Sequence, residues 1–176
     1  MTDRPYQPST ARGYYLGGHS LLSTDEGVDS PITYYHDLVI FDLTTETLRS
    51  VDVPEWVPVI APALVYLDAG KAGLLVVIGG KTENKGLLEY ASLQQVYIYD
   101  LYSKDWSTQL ASDINGRTNN VYGAYNVYDP GIPNDRYNMC AVVGTTPDHS
   151  SFNIYLFGGQ NDTATPGDIW ALTMPG

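Results

Sequence analysis

The residues of this chain best able to do chemistry are three histidines, one cysteine and twenty carboxylates. His19, His36 and His149 form neither an H-x-H nor an H-x-x-x-H pair, and Cys140 has no second thiol to join. The spacing that gathers zinc or copper ligands on one strand or helix is therefore missing, and no metal or other cofactor is expected. A lone cysteine also excludes an internal disulfide. Cys140 lies within the apolar run Met139–Val143, where a small buried residue is expected. Asp37, Asp42, Asp68, Asp100, Asp148 and Asp168 fall at the ends of apolar runs or in turns. There, aspartate usually accepts from nearby backbone amides rather than serving as an acid or base. No G-x-S-x-G elbow, phosphate loop or dinucleotide fingerprint is present, so no catalytic residue is assigned.

The elements that would position these residues read as strands. Fifteen tyrosines suit half-buried sheet surfaces, while seventeen glycines and eleven prolines supply turns. Three apolar triplets run into glycine pairs: Tyr14-Tyr15-Leu16 into Gly17-Gly18, Val76-Val77-Ile78 into Gly79-Gly80, and Tyr155-Leu156-Phe157 into Gly158-Gly159. The strands Leu38–Leu43, Val96–Leu101 and Ile169–Leu172 follow. The first two end in Asp42-Leu43 and Asp100-Leu101, with a large residue, Leu48 or Trp106, six places after the aspartate. Apolar runs at 63–67 and 74–78, and at 139–143 and 152–157, flank polar turns and predict hairpins. Near-continuous apolar strands imply burial on both faces. The unit is a four-stranded antiparallel meander repeated along one sequence, in an all-β chain.

These residues resemble the kelch repeat, a blade of a β-propeller. In that pattern a hydrophobic strand ends in Gly-Gly, then come a spaced aromatic and a tryptophan, the place Trp106 fills and Leu48 does not. Arg136 sits where many such repeats carry an arginine. The texture is most similar to filamentous-fungal kelch proteins grouped with the central domain of galactose oxidase. The resemblance covers nearly all of residues 1–176. It divides them into a blade lacking its first strand (11–53), a complete blade (61–110) and a blade lacking its last strand (136–174). The glycine pairs are spaced more widely than the ~50 residues of a kelch unit, and the excess is assigned to loops at 20–35, 81–95 and 111–135. Two and a half blades make an incomplete propeller, because rings close with roughly four to eight. A truncated sequence is expected, or else missing blades or self-association must complete the ring.

The resemblance implies a non-enzymatic scaffold that binds a protein or another macromolecule through its loops. One alternative is a fragment or divergent relative of a galactose-oxidase-like copper-radical oxidase, whose copper site uses tyrosine, histidine and a cysteine–tyrosine crosslink. Another is an accessory protein of fungal secondary metabolism. The 111–135 connection is the candidate interaction loop. Its Arg117, Tyr122, Tyr125 and Tyr128, with Arg136 nearby, have the composition of binding hot spots. Twenty acidic against nine basic residues leave a net charge of −11, which disfavours nucleic acid and anionic membrane surfaces. The start, Met1-Thr2-Asp3-Arg4-Pro5, lacks the apolar core of a signal peptide. The chain as written reads as cytoplasmic, or secreted if its N-terminus is truncated.

Overall fold

The computed structural model describes residues 11–21, 32–84, 86–112 and 133–175, and among them there is no helix. Ten strands build three large antiparallel sheets. In the first sheet, β1 (Arg12–Leu16) pairs with β4 (Asp37–Asp42), which pairs with β5 (Thr47–Asp52). The second sheet is the complete meander: β6 (Ala63–Leu67), β7 (Leu74–Ile78), β10 (Gln95–Asp100) and β11 (Trp106–Leu110), side by side in that order. The third contains β12 (Tyr137–Thr145), β13 (Ser151–Gln160) and β14 (Ile169–Pro175). Among the described residues, β1 has a neighbour only at β4 and β14 only at β13. The expected partial blades at either end are therefore present as three-stranded sheets.

Two connections expected to be loops carry short hairpins instead. β2 (His19–Leu21) pairs with β3 (Ile32–Tyr34), and β8 (Lys81–Asn84) with β9 (Leu87–Tyr90). Both were hidden because strands of only three or four residues leave no alternation to read. The tip of the second is tied by Glu83, whose Oε1 accepts from the Gly86 amide at 2.5 Å.

The sheets stack face to face, and two apolar layers result. Leu16, Leu38 and Ile40 of the first sheet meet Leu75, Val77, Tyr97 and Tyr99 of the second. On its other face, Val65, Val76, Ile78 and Ile98 meet Met139, Phe152, Ile154 and Leu156 of the third. β7 and β10 are thus covered on both sides, as their continuous apolar runs imply. β13 is not: its burial alternates, with Tyr155 and Phe157 exposed. Cys140 faces the same open side and is exposed, contrary to the expectation of burial. Among the described residues, its strand has a covered face only toward the second sheet.

The first two glycine pairs sit where one sheet hands over to the next. The Gly18 amide donates to Val59 O at 3.1 Å, and the Gly80 amide to Arg136 O at 3.0 Å. Both acceptors belong to the segment leading into the following sheet. Side chains on Gly17 or Gly79 would collide with those same carbonyls, so the repeated glycines permit a backbone-to-backbone approach.

Candidate functional site

Aspartates at strand ends are spent on local structure. Asp42 Oδ1 accepts from the Thr44 and Thr45 amides at 3.0 and 3.2 Å, and Asp100 Oδ1 from Tyr102 and Ser103 at 2.7 and 3.3 Å. The turns close on Glu46 and Lys104 in the left-handed region, with φ of 53° and 66°, the geometry of a short hairpin loop. The Thr45 amide bond is the main force holding the Asp42 carboxyl below its ordinary value. Asp148 accepts from the hydroxyl and amide of Ser150 at 2.8 and 3.1 Å, and these bonds bring it down to about 2. Such carboxylates stay ionised and cannot donate a proton near neutrality. His149 lies 3.8 Å from Asp68 across the opposite turn, and both are exposed. Among the described residues, no group of three His, Cys, Asp or Glu could hold a metal ion.

The most built polar cluster gathers where the 111–135 connection returns. Arg136 is only 3% exposed. It donates from Nη1 and Nη2 to the two oxygens of Asp168 at 2.5 and 3.2 Å, from Nη1 to Gly158 O at 3.3 Å, and from Nε to Asn134 O at 2.9 Å. Trp170 Nε1 donates to Asp168 Oδ2 at 2.7 Å. Burial by itself would raise the Asp168 carboxyl, but the Arg136 and Trp170 bonds outweigh it and hold it below its ordinary value. A guanidinium with this many partners is a clamp joining the lead-in of β12 to that of β14. Arg136, one of the candidate interaction residues, has its guanidinium turned into the chain rather than toward solvent. The recess beside it, lined by Met139, Leu156, Gly158 and Trp170, has no room even for a water molecule, so it is not a small-molecule pocket.

A second cluster links the β8–β9 hairpin to the third sheet. Lys81 Nζ lies 4.4 and 4.3 Å from the ring centres of Tyr90 and Tyr137, and 4.0 Å from Asp162. Tyr90 donates to Asp162 Oδ1 at 2.5 Å. Desolvation and this carboxylate push the Tyr90 phenol up to about 12. It cannot serve as a base at neutral pH, and the cation–π contacts make the group a tether. Asn161 beside it caps its own turn, accepting from Thr163 and Ala164.

The connection between the second and third sheets is pinned at both ends to one place. Ala111 donates its amide to Gln94 O at 2.7 Å, and Asp135 accepts the Leu93 amide at 2.8 Å. Burial raises the Asp135 carboxyl more than that bond lowers it. Arg117, Tyr122, Tyr125 and Tyr128 lie outside the described residues. Trp106 packs against Tyr99 with ring centroids 5.0 Å apart and planes tilted by 43°, its Nε1 buried and unpartnered. Leu48 occupies the same register position opposite Phe41 but is exposed. The Asp168 and Asp162 pairings were missed in the sequence. Both partners lie far along the chain; strand pairing within the third sheet brings Arg136 to Asp168, and packing of the β8–β9 hairpin against that sheet brings Tyr90 to Asp162.

No protein-family model matches the chain. A kelch repeat-containing protein of the fungus Arthroderma benhamiae is 26% identical over 200 aligned residues, covering 96% of this chain. The chain spans 27% of that protein's length. The similarity supports a kelch-repeat family for this sequence, in keeping with the stacked four-stranded meander.

Proposed function

We propose that the chain is a non-enzymatic kelch-type scaffold that binds another protein or macromolecule through the 111–135 connection. The observation that carries this is the anchoring of that connection. It leaves at Ala111 and returns at Asp135, and both ends bond to the adjacent residues Gln94 and Leu93. A connection this long is often functional, and here its two ends are held at one place. Tyr122, Tyr125 and Tyr128 supply contact area at low entropic cost, with Arg117 as a polar anchor. The kelch-like neighbour supports a scaffold without naming a partner.

Affinity enrichment from cell extract, comparing the parent chain with a Tyr122→Ala, Tyr125→Ala, Tyr128→Ala variant, tests the reading. The expected outcome is a partner lost by the variant while its thermal melt stays unchanged. A melt lowered by ~3–5 kcal/mol per ring would identify the tyrosines as buried structural pins and overturn it.

A second reading, a divergent copper-radical oxidase of the galactose oxidase type, draws on Cys140. That thiol is exposed on the sheet face that also carries Tyr155. Stoichiometric copper with hydrogen peroxide formed from simple alcohols or sugars would replace the scaffold reading with this one.

A further inference from the structure

The third sheet repeats the second in register, and the repetition exposes an unfinished contact. In the second sheet, Ala63, Ile78 and Val96 form one cross-strand row, and Val65, Val76 and Ile98 another on the same face. The corresponding rows of the third sheet are Cys140, Phe157 and Ile169, then Val142, Tyr155 and Ala171. The third sheet covers the rows of the second, leaving Ile78 1% and Val96 3% exposed. Nothing among the described residues covers the equivalent rows of the third: Phe157 is 53%, Val142 64% and Ile169 70% exposed. One apolar pattern is thus buried in one sheet and bare in the next.

The handover position gives a second, independent sign. A Cβ on Gly79 would lie 2.7 Å from Arg136 O, and one on Gly17 would collide with Val59 O, both in segments leading into a following sheet. At Gly158, with the same left-handed backbone, the nearest atom is Pro166 O at 3.8 Å, so no described segment presses on it.

The other end of the stack carries the matching half. The second sheet covers the first with the face that bears Val77 and Tyr97 in one row and Leu75, Tyr99 and Trp106 in another. Tyr15 and Val39, then Gly13, Phe41 and Leu48, hold the same register on the outer face of the first sheet. Tyr15 and Leu48 there are exposed.

We propose that the outer face of the third sheet binds the outer face of the first sheet in a second copy of this chain. The contact continues, in the same order and register, the one made twice inside each copy. It is heterologous, so it must either close or propagate. Two copies bring twice the three large sheets, within the roughly four to eight blades that close a propeller. The contact is apolar, while each copy carries a net charge of −11. Added salt therefore screens repulsion between copies and strengthens association. The interface uses none of the loop residues named for partner binding, so either can fail alone.

Sedimentation equilibrium on the full chain tests it with two variants at exposed positions, Phe157→Lys on one face and Leu48→Lys on the other. The parent chain is expected to associate to a defined size, more tightly at higher salt. Each variant alone weakens association roughly thirtyfold or more, with its circular dichroism unchanged. Mixing the two variants restores a 1:1 pair, because each copy keeps the face that the other has lost. A parent chain that stays monomeric at its highest soluble concentration overturns the proposal. Association indifferent to both variants, or variants that do not recombine, overturns it equally.

Discussion

The second and third sheets share a strand order, a register and a glycine pair, yet the same positions have opposite surroundings in the two. Ile78 and Phe157 are equivalent by pairing, as each precedes its glycine pair and faces a residue of the preceding strand. Ile78 is packed between sheets, whereas Phe157 meets solvent. Gly79 and Gly158 are equivalent too, but only Gly79 is pressed by a following backbone. The comparison teaches that the repeat encodes a two-sided layer whose sides are completed by neighbours rather than by the layer itself. Stability should therefore be unevenly distributed over chemically equivalent positions.

The largest expected contrast is at the glycines, measured by urea unfolding at concentrations low enough to keep the protomer. Gly158→Ala costs about 1–2 kcal/mol, the strain of a left-handed backbone alone. Gly79→Ala adds the collision with Arg136 O, for roughly 2–5 kcal/mol in all. Equal losses would break the comparison, since they would place a following backbone at both positions.

A smaller contrast lies between the side chains just before them. Ile78→Val should cost about 1 kcal/mol, the usual loss for a buried methylene, and Phe157→Leu no more than about 0.5 kcal/mol at an exposed site. A larger loss at Phe157 in the dilute protomer would mean that its face is covered within the chain.

The smallest effect sharpens the contact between the two sheets rather than dividing them. Tyr90 bonds from the β8–β9 hairpin to Asp162 beyond β13, and its phenol is raised from 10.0 to about 12. A raised folded-state value means that the contribution is complete below the unfolded value and is lost as pH rises through the folded one. The loss should fall between pH 10.0 and about 12, a window that Asp162→Asn narrows by removing the neighbouring charge. Ultraviolet titration of tyrosinate, compared between the parent and this variant, reads it directly. An unchanged late-titrating tyrosine in the variant would show that Asp162 does not contribute.

Much of the architecture was legible because it is local. The three glycine pairs, the turn aspartates Asp42 and Asp100, and the apolar runs at 63–67 and 74–78 each act within a few residues of themselves, and the structure has them where the pattern puts them. The β2–β3 and β8–β9 hairpins were illegible, being built of strands only three or four residues long and without periodicity. In the candidate site, the position of Arg136 ahead of β12 was visible, but its use was not. An arginine before a strand can reach outward or inward, and its partner Asp168 lies two strands later.

By itself, the sequence determined the repeating unit: strand, glycine pair, strand, aspartate turn. Hydrogen-bonding and steric preferences of neighbouring residues suffice for that. The tertiary structure alone decided which copies of the unit are covered. Cys140 and Ala63 occupy the same place in apolar strands, yet Ala63 is buried and Cys140 exposed. Burial belongs to the layer outside a strand, and the residues of the strand do not record whether that layer is there.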